Sequence, residues 1–93
     1  MGRFIVKISE KALKEIQEHK RAGDKATNKK LQKILLELEN NPFEGIGNPE
    51  PLKYNLNGYW SRRLNKKDRL IYEIKNEIVT VFILSAMGHY NDK

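Results

Sequence analysis

The chain has no cysteine, which excludes a disulfide framework and any thiolate metal site. Its two histidines, without cysteine, do not make a structural zinc site. No run approaches the roughly 20 apolar residues of a membrane-spanning helix. The apolar stretch in Met1-Gly2-Arg3-Phe4-Ile5-Val6-Lys7 is too short for a signal peptide, and Val6 stands where a myristoylation signal wants Ser or Thr. These absences point to a cytoplasmic protein that takes no metal, no cofactor and no membrane. Proline is scarce and confined: Pro42, Pro49 and Pro51 all fall in one ten-residue segment.

What is present fits a single domain over residues 1–93: 39% apolar and 32% charged residues, an ordinary composition for a folded protein of this length. Eighteen basic against 12 acidic residues give a net charge of +6. The excess is local. Lys53, Arg62, Arg63, Lys66, Lys67 and Arg69 face one acid, Asp68, across residues 53–69, a net +5, while the remainder carries 12 basic and 11 acidic residues. A basic cluster in a small domain indicates a polyanion partner, RNA or DNA first, although a solvated lysine-rich surface accounts for charge alone equally well.

Alternation of Phe4, Val6 and Ile8 with Arg3, Ile5 and Lys7, and a high β-branched content, predict a strand over Gly2 to Ile8. Ser9 is a suitable N-cap for a helix with Ala12, Leu13 and Ile16 on its apolar face, ended by Gly23. A second helix, from Asp24 or Lys25 to Glu39, places Leu31, Ile34, Leu35 and Leu38 on one face and stops at Asn40-Asn41-Pro42. The very short connection makes the two an antiparallel hairpin. The Pro- and Gly-containing segment 42–51 is read as a loop; its Gly45-Ile46-Gly47 lacks the Gly-Lys-Ser/Thr of a phosphate loop. Strands are then expected over Leu52–Leu56, Gly58–Leu64, Arg69–Lys75 and Ile78–Ser85, with turns at Asn65-Lys66-Lys67-Asp68 and Lys75-Asn76-Glu77. The predicted class is α+β: an N-terminal strand, a two-helix hairpin, then an antiparallel meander with the helices on one face of the sheet.

Pro42-Phe43-Glu44-Gly45, Gly47, Pro49-Glu50-Pro51-Leu52-Lys53, Asn55-Leu56, Gly58, Trp60-Ser61-Arg62-Arg63, Arg69-Leu70 and Tyr72, with His89-Tyr90 near the end, form a long ordered phrase. In this phrase the chain resembles the YoeB branch of the RelE/ParE toxin superfamily, closely in its second half and by element order in its helical half. The resemblance implies a RelE-like (microbial RNase-like) fold and a metal-independent endoribonuclease, the toxin of a type II toxin–antitoxin system. Such a toxin cleaves messenger RNA in the ribosomal A site from the concave sheet face. The implied partners are the ribosome, messenger RNA and an acidic, YefM-like antitoxin that wraps the toxin, with a homodimer as a further assembly. Carried over by residue, it makes Glu50 the general base, Arg69 the phosphate-binding cation, His89 a general acid or its equivalent and Tyr90 a contact to substrate, with Lys53 and Arg63 adding positive charge. Asn91-Asp92-Lys93 extend past the point where this branch typically stops, so no role is given to a terminal carboxylate.

Those residue types suit the chemistry. RNA carries its own nucleophile, the 2′-hydroxyl, and its cleavage needs one base, one acid and cations at the phosphate. Glu50, flanked by two prolines, is held on a restricted backbone, though a loop glutamate of no special role has the same look. His89 can titrate near neutral pH. Arg69 offers a planar fork that matches a phosphate, or else a strand-edge charge that discourages aggregation. Arg62 and Arg63 are adjacent on a strand and must face opposite ways; the resemblance selects Arg63 for the site, and Arg62 is expected beside Trp60, stacked against it. Lys66 and Lys67 are read as RNA-binding through charge. His19, near a helix C-terminus, fits the helix dipole and is assigned no catalytic role. Of the four tyrosines only Tyr90 is expected to stack on a base. Two other readings fit the same fold: a ParE-like inhibitor of DNA gyrase, a branch lacking the Glu50, Arg69, His89, Tyr90 set, and a plain RNA-binding module that leaves its RNA intact.

Overall fold

The computed structural model describes residues 3–52 and 58–88. The element order is β1 (Ile5–Ile8), α1 (Glu10–Ala22), α2 (Lys25–Asn40), β2 (Glu50–Pro51), β3 (Tyr59–Arg63), β4 (Arg69–Lys75) and β5 (Thr80–Ser85). Both helices start and stop where side chains satisfy the backbone. The Ser9 hydroxyl accepts the Ala12 N–H at 3.1 Å, and Gly23, in the left-handed conformation, closes α1. The Asp24 carboxylate accepts the N–H and the hydroxyl of Thr27 and so opens α2. Only Gly23 and Asp24 separate the helices, which gives the expected hairpin.

The five strands form one mixed sheet in the order β1-β5-β4-β3-β2. β1 runs parallel to β5 and the other pairs are antiparallel. The meander is thus as expected from the sequence, whereas β1 joins it beyond the last strand, through pairing that no local pattern encodes. One sheet face packs under the helices. Leu64, Leu70, Tyr72, Ile74, Val81 and Ile83 meet Ala12, Ile16, Leu31, Ile34 and Leu38 there, all of them buried. Full burial of an aliphatic side chain of this size contributes about 1.5–3 kcal/mol. Strand periodicity then leaves Tyr59, Ser61, Arg63, Arg69, Ile71 and Glu73 on the opposite, helix-free face. β1 is an edge, and Ile5, Ile8 and Leu36 remain exposed along it and the adjoining side of α2.

Strand boundaries differ from the sequence reading: β1 is confined to Ile5–Ile8, and β2 and β5 are displaced. Of the strand expected over Leu52–Leu56, residues 53–56 lie outside the described residues, and pairing instead begins earlier, at Glu50–Pro51, inside the segment read as loop. An edge strand tolerates a proline, because one of its two backbone sides has no partner. β5 begins at Thr80 rather than Ile78, because Asn76–Ile78 form a 3₁₀ turn closed by Val79 at φ 48° and ψ 48°. A β-branched residue in that conformation is strained by roughly 1–3 kcal/mol. His19 sits in the last turn of α1, where it suits the dipole as expected, and is also buried, 5% exposed, with its ring bonded to the Ala86 carbonyl.

The strain at Val79 gives a first prediction. Val79→Asn, a residue that tolerates the left-handed region, is expected to stabilise the fold by about 1 kcal/mol in urea denaturation. A destabilised variant would show that the Val79 side chain outweighs its backbone strain.

Candidate active site on the helix-free face

The site begins with the division of Arg62 from Arg63. Arg62 points to the helix side, is fully buried, and uses all five of its donors. Its Nη1 donates to Glu37 Oε1 at 2.7 Å and to the Ile46 carbonyl at 3.3 Å. Nη2 donates to the carbonyls of Glu44 at 2.8 Å and Asn41 at 3.3 Å, and Nε to the Tyr72 hydroxyl at 3.1 Å. The Tyr72 hydroxyl in turn donates to the Pro42 carbonyl at 2.9 Å. Burial pushes that phenol above its ordinary pKa, although the Arg62 guanidinium pulls it down. The expected stacking on Trp60 is corrected: Arg62 lies over the Tyr72 ring, 5.9 Å from its centroid, and Trp60 meets Phe43 edge-to-face at 5.5 Å.

Four of these six bonds fasten the backbone of residues 41–46, the proline-bounded segment. Glu37 Oε1 adds another by accepting the Ile46 N–H at 3.0 Å. Gly45 passes so close over the ion pair that a Cβ there would collide with Glu37 Oε1 and Arg62 Nη1. Beyond it, Gly47 and Asn48 adopt positive φ, and the Gly47 carbonyl accepts the Arg63 N–H at 2.6 Å. The chain is thereby turned onto the sheet edge, where Glu50 pairs with Ser61.

Register puts three charged side chains together on the helix-free face. Arg63 lies directly opposite Arg69. Their N–H groups point away from one another, to Gly47 O and Gly88 O, so they form the closer, non-hydrogen-bonded kind of cross-strand pair. Like charges so placed repel. Glu50 Oε1 is 3.7 Å from Arg69 Nη1, with the two side chains 57% and 29% exposed. An ion pair this open adds at most about 1 kcal/mol to stability. Among the described residues, none of these three side chains makes a hydrogen bond, so the carboxylate can accept a proton and both guanidinium forks can meet an anion.

Of the other residues singled out from the sequence, Lys66 and Lys67 are exposed in the β3–β4 turn that leads into Arg69. Lys53, His89 and Tyr90 lie outside the described residues. Sequence reasoning missed the role of Arg62. Its one legible sign was adjacency: of two neighbouring strand arginines, one must point inward and find partners there.

A sheet with a helix hairpin on one face is the architecture of a class of small bacterial toxins. A YoeB/ParE toxin from Agrobacterium tumefaciens superposes with a TM-score of 0.82 at 25% identity, covering 94% of this chain and 100% of that one. YoeB from Staphylococcus aureus, solved as a dimer, superposes with a TM-score of 0.78 at 36% identity over 95% of this chain and 99% of its own. A YoeB from Staphylococcus aureus solved in a YoeB–YefM complex superposes with a TM-score of 0.74 at 35% identity and the same coverage. In sequence, the toxin YoeB of Synechocystis sp. is 45% identical over 68 residues, 73% of this chain and 77% of the relative. Residues 8–90 match the model of the YoeB-like toxins of bacterial type II toxin–antitoxin systems, and the chain belongs to that family.

The Arg62 network carries its own test. Arg62→Met keeps most of the volume but leaves Glu37 and four other acceptors without their donors. Breaking a buried pair costs about 3–5 kcal/mol, and the low end is expected because Glu37 is 27% exposed. A loss below about 1 kcal/mol in urea denaturation, the net worth of one ordinary hydrogen bond, would show that the network does not hold the loop.

Proposed function

We propose that the chain is a ribosome-dependent endoribonuclease that cleaves messenger RNA in the A site and thereby halts translation. The observation that carries this reading is the Glu50–Arg69 pair at 3.7 Å beside Arg63, all open on the helix-free face. Two arginines placed side by side repel until an anion comes between them, and a phosphodiester is an anion with two non-bridging oxygens to offer.

In the proposed reaction Glu50 takes the proton of the 2′-hydroxyl, and the resulting oxygen attacks the adjacent phosphorus. The bond to the 5′-oxygen breaks, and His89 supplies the proton to that leaving oxygen. The products are a 2′,3′-cyclic phosphate and a 5′-hydroxyl, with Glu50 protonated and His89 deprotonated until solvent restores them. Arg69 and Arg63 stabilise the charge gathering on the phosphoryl oxygens, a kind of contribution that often exceeds the acid–base one. Because RNA supplies the nucleophile, the scheme needs no metal. Tyr90 is assigned to stacking on a base, and Lys53, Lys66 and Lys67 to the RNA backbone through charge.

The assembled state of the Staphylococcus aureus relative supports two partner assignments. Its complex with YefM extends to this chain an acidic antitoxin, whose charge would oppose the net +5 of residues 53–69 and speed association. Its dimer extends the expectation of a second copy.

Two substitutions test the chemistry on translating ribosomes. Glu50→Gln keeps the size but removes the proton acceptor, and the cleavage rate is expected to fall by ~10²–10⁴-fold. Cleavage at the parental rate would remove Glu50 from the role of base. Arg69→Lys keeps the charge but loses the fork, so cleavage should drop clearly while ribosome binding is retained. Unchanged cleavage would reduce Arg69 to a strand-edge charge.

A further inference from the structure

Beyond β5 the chain crosses the start of β4 as Ala86-Met87-Gly88, and the polar backbone groups of Ala86 and Gly88 are held from outside the segment. The Ala86 N–H donates to Glu15 Oε1 at 2.7 Å, and the Ala86 carbonyl is bonded to His19 Nε2 at 2.7 Å. The Gly88 N–H donates to Asp68 Oδ1 at 3.0 Å, and the Gly88 carbonyl accepts the Arg69 N–H at 3.0 Å. Three ionisable side chains, two from α1 and one from the β3–β4 turn, are thus committed to three residues of chain.

They are themselves fixed. His19 is 5% and Asp68 7% exposed. Asn65 Nδ2 bridges Asp68 Oδ2 at 3.1 Å and Thr27 Oγ1 at 3.0 Å, and Thr27 Oγ1 donates to the Asp24 cap of α2 at 2.8 Å. A polar chain therefore runs from the start of α2 through the turn to Gly88. Burial alone would raise the Asp68 carboxyl, but the Gly88 N–H, the Asn65 amide, His19 and Lys67 outweigh it and hold it below the ordinary carboxylate range. The ionised form is the one that accepts both bonds. Gly88 turns at φ 78°, and a Cβ there would meet nothing within 4 Å, so what this position requires is the left-handed turn and not the space.

We infer that Asp68, assisted by Glu15 and His19, is a positioning residue for cleavage: it clamps Gly88 to the start of β4 and so fixes the point from which the chain continues to His89 and Tyr90. The inference rests on the proposed role of His89. Asp68 and Arg69 are consecutive and hold the N–H and the carbonyl on either side of the Gly88 Cα, so the phosphate-binding arginine and the origin of the acid-bearing segment share one frame. Neither Asp68 nor His19 touches the reacting atoms in this scheme. Their effect is orientation, for which a displacement of about 1 Å can cost ~10²-fold in rate.

The test is a set of variants assayed for cleavage and for ribosome binding. Asp68→Ala should lower kcat by about 10–100-fold, the range for misplaced catalytic groups, with KM and ribosome affinity unchanged. Asp68→Asn, which keeps an acceptor for Gly88, should recover most of the rate. Glu15→Ala, in a helix that favours alanine, leaves the turn intact and should lower kcat in the same manner; it serves if Asp68→Ala does not fold. In a His89→Gln background, itself slow, Asp68→Ala should cost nothing further. Full activity in both Asp68→Ala and Glu15→Ala, with His89→Gln inactive, would overturn the clamp alone. Full activity in His89→Gln would overturn the reading on which it rests. Additive losses in the double variant would show that Asp68 acts on something other than the His89 segment.

Discussion

The buried guanidinium of Arg62 is the constraint from which the site follows. A cation with no exposed surface is tolerated only when each of its donors is met. Here the acceptors are one carboxylate from α2, one phenol from β4 and three carbonyls from the segment between α2 and β2. That segment has no helix or strand of its own before Glu50, and besides the packing of Pro42, Phe43 and Ile46 it is held by these bonds. Its shape is dictated by the need to surround a charge. The glycine at 45 and the left-handed backbone at 47 and 48 are consequences of wrapping closely around that centre and then turning back to the sheet.

One strand thereby serves two opposite ends. Arg62 on the helix side organises the loop that delivers Glu50 to the edge, and Arg63 on the other side stands with Arg69 where Glu50 arrives. The contrast in polar satisfaction between the faces is informative. Among the described residues, no buried side-chain nitrogen or oxygen lacks a partner. On the exposed face the charges are close, yet joined by no hydrogen bond. An ion pair this open is not locked in one geometry, and its groups can exchange partners. At the start of β4, the Asp68 clamp gives the chain after β5 the same kind of external support that Arg62 gives the chain before β2.

Much of this was legible in the residues. Ser9, Gly23 and Asp24 mark the helix ends by local chemistry, and the helices lie where those marks put them. Alternation placed β3 and β4 and separated Arg62 from Arg63. The family phrase named Glu50 and Arg69, which the fold then brings within 3.7 Å. What could not be read were pairings between distant segments. The parallel contact of β1 with β5, the reach of Arg62 across to Glu37, and the burial of His19 against Ala86 all join residues 25 or more positions apart. Val79 was misread for a different reason: its β-branched side chain favours a strand, but closing the tight connection from β4 to β5 overrides that preference.

In the proposed reaction two arginines and a carboxylate use the RNA's own 2′-hydroxyl to cut it. The most direct measurement replaces the ribose at the cleavage position of a ribosome-bound message with 2′-deoxyribose and identifies the ends formed by the unmodified message. The account predicts a 2′,3′-cyclic phosphate and a 5′-hydroxyl from the unmodified message, and no cleavage at the deoxy position. Equal cleavage of the deoxy message, or an unmodified message left intact on arrested ribosomes, would contradict it.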